Sequence, residues 1–281
     1  MSFVAIIGSG ALGGAVAHTL AVRDRIGEIR LIDAEERIAQ GKALDIRQSS
    51  PIDQFASVVV GSGAIAAAAG AVAIVLADAA SGDAEFTGEG GLTLLRQLAA
   101  IEPRAPIVCA GSSQRELIAR GVRELHIAEA RLIGSAPLAL ESALRALAGL
   151  AIDSSGVPVA VSVAGVPPDN AVVAWEEASL DGQPLTSHVP PHVIAGLNAR
   201  LRGLWPPGTH TLGAAAAAVI EAIALGSRRR FSCFVHLGNG RVGAMPVELD
   251  EDGVRRVIEP VLTRQERTRL ENAFAQSLTD C

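Results

Sequence analysis

A strand that runs straight into three spaced glycines leaves a chain few folds to adopt. Residues 4–14 read Val-Ala-Ile-Ile-Gly-Ser-Gly-Ala-Leu-Gly-Gly, an apolar run followed by Gly8-x-Gly10-x-x-Gly13. A helix-like run from Ala15 to Val22 comes next. A second apolar segment, Ile29-Arg30-Leu31-Ile32, then ends in Asp33, twenty residues beyond Gly13. Strand, glycines, helix, strand and acid in this order make up the dinucleotide-binding fingerprint of a βαβ unit. The competing reading is a plain βα turn that needs glycines only for packing.

Each part has a mechanical reason. Gly8 makes the tight turn, Gly10 lets the backbone approach a pyrophosphate, and Gly13 lets the helix sit close to the sheet. The helix N-terminus offers free N–H groups and a partial positive charge to phosphates. The expected cofactor site is therefore the loop Gly8, Ser9, Gly10, Ala11, Leu12 and Gly13 together with Asp33. Asp33 would accept hydrogen bonds from the adenosine ribose and repel a 2′-phosphate. No Arg follows it directly (Ala34, Glu35, Glu36), so NAD is favoured over NADP.

The first half alternates strands and helices. Strands are expected at Phe3–Ile7, Ile29–Ile32, Val58–Val60, Val72–Leu76, Ile107–Ala110 and Arg131–Ile133. Helices are expected at Ala11–Val22, Glu35–Arg47, Gly90–Ala100 and Ser113–Gly121. Such alternation implies a doubly wound parallel sheet, with ligand at the carboxyl ends of its strands. After a boundary near Gly134–Pro137 the pattern changes. Helices are expected at Leu138–Leu150, Val193–Leu204, Ala214–Leu225 and Arg264–Phe274, and strands at Val157–Val163, Phe231–Leu237 and Ala244–Leu249. Residues 1–135 are thus read as a dinucleotide-binding domain and 136–281 as a second, α+β domain.

Composition narrows the partners. With 49% hydrophobic residues a core is easily filled, and with 3% aromatics and no Tyr it must be aliphatic. The net charge of −6 gives no electrostatic footprint for nucleic acid. The longest apolar stretch, Ala64 to Ala77, is too short and too Ala-rich to span a bilayer. Cys109, Cys233 and Cys281 show neither a disulfide nor a zinc pattern, and the chain enters its first strand without a signal segment. A cytoplasmic location is the expectation, with no nucleic acid, membrane or metal.

Along nearly its whole length the chain resembles the lactate/malate dehydrogenases. The glycine fingerprint and Asp33 match. Gly41-Lys42-Ala43-Leu44-Asp45-Ile46 is similar to the family's helix motif after the second strand. Arg131-Leu132-Ile133-Gly134 resembles its domain junction, and Leu180-Asp181-Gly182-Gln183-Pro184-Leu185 its Val-Gly-Gly-x-Pro-Leu. Met245-Pro246-Val247 through Gly253-Val254 and the final helix resemble its C-terminal elements. The resemblance implies a Rossmann doubly wound sheet followed by an α+β substrate domain. It also implies NAD, a small-molecule substrate, and a homo-oligomer (dimer or tetramer) packed partly through Gly41–Arg47.

The reacting end departs from the family's pattern. Reduction of a keto acid needs a proton donor, a carboxylate to orient it, an Arg to grip the substrate carboxylate and a mobile Arg-bearing loop. The donor position corresponds to Pro167 in Gly165-Val166-Pro167-Pro168-Asp169. The orienting Asp corresponds to Leu140 and the gripping Arg to Ala143. A shifted alignment offers Glu141 and Arg145, spaced four apart instead of three. The loop reads Asp78-Ala79-Ala80-Ser81-Gly82-Asp83-Ala84-Glu85, acidic and short, with no Arg or Lys between Arg47 and Arg96. Gly111-Ser112-Ser113-Gln114 replaces an Asn-bearing motif. His210, in Gly208-Thr209-His210, is the best remaining catalytic candidate. Asp169, Asp78 and Ser112 are pocket candidates, although each reads more readily as a turn or cap residue. His188 and His192 flank two prolines and form no helical metal pair.

Two readings stay open. One is an oxidoreductase of altered chemistry on a small hydroxy or carbonyl substrate. The other is a catalytically silent homologue that serves as an NAD-responsive, structural or partner protein.

Overall fold

Each apolar run of the first half forms a strand and each periodic segment a helix, in a computed structural model that describes residues 2–82, 84–152 and 158–276. In order they are β1 (Phe3–Ile7), α1 (Ala11–Arg23), β2 (Glu28–Ile32), α2 (Glu36–Asp53), β3 (Val58–Ser62), β4 (Ala73–Leu76), α3 (Gly88–Ile101), β5 (Ile107–Cys109), α4 (Arg115–Leu125) and β6 (Leu132–Gly134). These six strands pair in parallel in the order β3-β2-β1-β4-β5-β6. That is the doubly wound arrangement, with the strand order reversing between β1 and β4. Both strands at the reversal are buried along their whole length, which is why they read as unbroken apolar runs. Ile7 registers with Ile32 on one side and with Leu76 on the other. The segments that begin at Gly8, Asp33 and Ala77 therefore leave the sheet side by side.

The second half contributes α5 (Ala136–Ala151), β7 (Val159–Ala160), β8 (Val163–Val166), β9 (Asn170–Val173), β10 (Ser179–Leu180), β11 (Gln183–Pro184), α6 (Pro191–Arg200), α7 (Thr209–Ala224), β12 (Arg230–His236), β13 (Val242–Asp250), β14 (Gly253–Val257) and α8 (Arg264–Gln276). β12 joins β6 antiparallel at Phe234↔Gly134, and the same sheet continues through β13, β8 and β9, with β14 also on β13. β7, β10 and β11 form a small separate sheet. α5 starts at Ala136, beside the expected boundary. The larger core nevertheless crosses it, uniting Val4, Leu20 and Ile74 with Ala216, Ile220 and Val247. A second core around Leu140, Leu144, Val163 and Trp175 belongs to the C-terminal half alone.

The expectations differ from the structure in several places; α2 runs on past the expected Arg47 to Asp53, and α4 is Arg115–Leu125 instead of Ser113–Gly121. The strand expected at Val157–Val163 is two strands in different sheets, because β7 pairs with β10 and β8 with β13; Val157 lies outside the described residues. The helix expected at Val193–Leu204 is α6 followed by a 3-10 turn over Leu201–Leu204. Pro191 opens α6 instead of preventing it, since a first-turn residue has no use for its N–H. His192 thus lies in the first turn and His188 precedes the helix. α7 starts five residues ahead of the expected Ala214, at Thr209. Among the described residues no helix is long and apolar enough to cross a membrane. Cys109 and Cys233 are buried free thiols, and Cys281 lies outside the described residues.

Candidate functional site

The carboxyl ends of β1, β2 and β4 bring the fingerprint loop, Asp33 and Asp78 together. Gly8 turns the chain at φ +98°, a left-handed conformation that favours glycine, and its N–H donates to the Ile32 carbonyl at 2.7 Å. Gly13 packs directly on the Gly8 carbonyl, which a Cβ would overlap. Both glycines thus do what the motif requires of them.

Gly10 does something else. The space that its missing side chain opens is filled by the Asp78 carboxylate. Asp78 Oδ2 accepts the Leu12 N–H at 2.9 Å, and Oδ1 accepts the Gly13 N–H at 2.8 Å. These are the second and third N–H groups of α1, the donors that an N-cap side chain normally satisfies. Gly10, at the N-cap, has no side chain to offer. Asp78 therefore caps α1 from 65 positions along the chain, and its negative charge meets the positive end of the helix.

Asp33 is occupied in the same way. Oδ2 accepts the N–H groups of Ser9 (2.8 Å) and Ala80 (2.9 Å), and Oδ1 that of Glu35 (3.0 Å). Burial pushes its pKa upward, but the N–H groups of Glu35, Ser9 and Ala80 outweigh this and hold it below the usual Asp value. Lys42, on α2, lays its stem against Gly14 and donates to the Gly10 carbonyl at 2.6 Å.

The segment that follows Asp78 folds back on itself. Ala79 N–H donates to the Ala84 carbonyl at 3.2 Å, and Asp78 and Glu85 form an antiparallel bridge. Glu85 then accepts from the N–H groups of Ser112 (2.9 Å) and Ser113 (2.7 Å) and from the Ser112 hydroxyl (3.2 Å). Gln114, fully buried, donates to the carbonyls of Ala77 and Phe86 and accepts the Gly111 N–H. Beneath, burial and the Glu85 charge push the Cys109 thiol up to about 12, so it stays protonated and unreactive.

A dinucleotide would place its pyrophosphate at the α1 N-terminus, against Gly10, and its ribose hydroxyls on Asp33. Here the N–H donors and the space beside Gly10 are taken by Asp78, and the buried Asp33 is bonded three times by main chain. In this arrangement the residues present do not fit the cofactor.

At the reacting end, Pro167 is buried in the turn between β8 and β9. Leu140 is wholly buried in the second core, and Ala143 is half-buried on the same helix. Glu141 and Arg145, the alternative pair, bond each other at 3.3 Å. Glu141 also accepts the Ser232 N–H, and Arg145 donates to the Val159 carbonyl. Burial pushes the Glu141 carboxyl above its ordinary pKa, and the Ser232 and Arg145 contacts offset this only in part. Asp169 forms an exposed ion pair with Arg202 at 2.9 Å. His210 stands exposed in the first turn of α7. Trp175 and Trp205 pack: one donates to Asn198 at 2.9 Å, the other sets its edge on Phe234. Of the sequence candidates, Asp78 and Asp33 are joined to the fingerprint loop by the hydrogen bonds described above, Ser112 is tied to the same segment through Glu85, and Glu141 and Arg145 pair apart from them. Glu85, Gln114 and Lys42 were missed as members of that group. The readable signal for them was an acidic segment, leaving β4 beside β1, that contains no cation.

No family model matches the chain. Whole proteins do. It is 28% identical to a malate dehydrogenase of Thermomicrobium roseum, over 95% of this chain and 93% of that protein. It is 26% identical to L-lactate dehydrogenase A of Rhizopus oryzae, over 96% of this chain and 89% of that one. Among solved structures, the malate dehydrogenase of Salinibacter ruber superposes with a TM-score of 0.85 at 22% identity, covering 99% of this chain and 96% of that chain. The lactate dehydrogenase of Cryptosporidium parvum, complexed with lactic acid and nicotinamide adenine dinucleotide, gives the same TM-score, identity and coverage. Sequence similarity along the whole length and a shared fold together support membership of the lactate/malate dehydrogenase family.

Proposed function

We propose that this chain is a member of the family that has lost lactate and malate dehydrogenase turnover and serves as a structural or partner-binding protein. The observation that carries this reading is the set of side chains at the matched catalytic positions: Pro167, Leu140 and Ala143. A buried proline carries no proton to donate, and a leucine sealed in an apolar core cannot orient one. A general acid contributes about 10²–10⁴ in rate, and one charge-stabilising donor about 10²–10³. Losing both classes together removes roughly 10⁴–10⁷ of the acceleration, which takes an ordinary turnover of about 10 s⁻¹ to about 10⁻³ s⁻¹ or below.

The reading includes a homo-oligomer, as the family resemblance implies. Ile38, Leu44 and Ile52 of α2 are exposed apolar side chains, which supports a partner on that face. Light scattering on the eluted protein tests it.

The second reading, an oxidoreductase using His210 as proton donor, has one observation in its favour, the exposure of that imidazole. One experiment separates the two. The purified protein is assayed with NAD and with NADH against malate, lactate, their keto acids and a panel of small hydroxy acids. Silence across the panel supports loss of turnover. A kcat near 1 s⁻¹ that His210→Ala abolishes would establish the oxidoreductase instead.

A further inference from the structure

We infer that residues 78–82 with 84 and 85 are a built-in occupant of the dinucleotide groove, with the Asp78 carboxylate standing where a cofactor phosphate would sit. The inference goes beyond the loss of turnover. A family member can lose its proton donor and still bind cofactor, whereas this one blocks its own groove.

Three contacts fix the segment, and the first two take partners that a dinucleotide would need. Asp78 takes the Leu12 and Gly13 N–H groups and the space beside Gly10. The Ala80 N–H takes Asp33 Oδ2 at 2.9 Å, on the carboxylate meant for the ribose. Glu85 takes the Ser112 and Ser113 N–H groups at the far end, and its carboxylate lies against Gly111. The segment is braced on itself by the Ala79–Ala84 hydrogen bond and on the sheet by Gln114.

Charge completes the closure. A phosphate entering beside Gly10 would meet the Asp78 carboxylate at contact distance, inside a buried pocket where like charges repel strongly. Residues 48–95 supply no Lys or Arg to offset it, and Lys42, the cation beside the loop, is engaged with the Gly10 carbonyl at 2.6 Å. An anionic ligand therefore has to expel a carboxylate that is already hydrogen-bonded, and gains no new donors by doing so. An ordinary fingerprint loop starts with those donors open.

The test is a calorimetric titration with NADH, and NADPH as control, of the wild type, Asp78→Asn and Asp78→Gly. The wild type is expected to show no saturable binding up to about 1 mM NADH. Asp78→Gly clears both the charge and the space, and is expected to bind NADH at least tenfold more tightly than that limit and more tightly than NADPH. Asp78→Asn removes the charge and one of the two acceptors but keeps the size of the side chain and half of the cap; it is expected to fall between the two. Micromolar NADH binding by the wild type would overturn the proposal, as would folded Asp78→Gly and Asp78→Asn proteins with no gain over wild type. Turnover is read on the same samples. NADH binding gained without turnover supports both this inference and the loss of catalysis. Turnover that appears only in Asp78→Gly supports the inference and overturns the loss of catalysis. Micromolar NADH binding by a wild type without turnover overturns the inference alone.

Discussion

Replacing Asp78 by alanine removes the acceptor of two main-chain N–H groups, 2.9 Å from Leu12 and 2.8 Å from Gly13. Both donors belong to buried residues in the first turn of a helix that packs on the sheet. Hydrogen bonds to a charged acceptor contribute about 1.5–3 kcal/mol each, but the full sum is not lost. The variant also escapes the cost of a desolvated carboxylate, and water can enter the space beside Gly10. Measured truncations of capping residues reach about 2 kcal/mol, and the buried position, 3% exposed, places this one at the upper end. We therefore expect a loss of about 2 kcal/mol, which in a chain of this size lowers Tm by roughly 3–4 °C. Urea titration followed by circular dichroism measures it, with Asp78→Asn as the companion variant, expected to lose about half as much. A Tm within 1 °C of wild type in Asp78→Ala would show that the carboxylate does not cap α1 in solution and would refute its filling of the groove.

Three further outcomes follow from the same geometry. Gly13→Ala forces a Cβ into the Gly8 carbonyl, a backbone atom that cannot step aside; a destabilisation of about 2–3 kcal/mol is expected in urea titration, and a loss below 0.5 kcal/mol would deny that packing. Glu141 has its pKa raised by burial, so the folded state holds the proton more tightly than the unfolded chain does. Its contribution is full below the unfolded pKa and is lost as pH rises through the folded one. Glu141→Gln should accordingly gain in Tm on wild type at pH 8 and converge with it at pH 4, and a gap that widens toward acid would contradict the sign. His210→Ala, at an exposed position, should leave stability within about 0.5 kcal/mol of wild type, and thermal melts of the pair check it.

The first half of the fold was legible because its signals are local. β1 is Phe3–Ile7 as expected, and α1 starts at the expected Ala11. In these elements apolar runs, glycines and helix periodicity all agree. The C-terminal half was read less well where elements are short. β7, β10 and β11 have two residues each, too few to show a period. β9 lies directly behind the Pro167-Pro168 turn, whose prolines masked the strand. At the site, the fingerprint gave the glycines and Asp33 but not what meets them. Asp78 caps a helix 65 positions earlier, and Glu85 bonds a loop 27 and 28 positions later. Such partners are set by the adjacency of β1 with β4 and of β4 with β5, which no local pattern encodes.

The joint at Phe234↔Gly134 spans one hundred positions of chain. On the ribosome, at about 5–20 residues per second, the parallel half waits roughly 5–20 s for the strand that completes its sheet. Through that interval β6 is an open edge, and the face of α1 that Gly213 will meet is bare. An unpaired edge beside uncovered apolar surface is a template for wrong partners. Nascent chains stalled between Gly134 and Arg230 are therefore the form of this protein that most needs a chaperone, and a product truncated there would aggregate where the full chain folds.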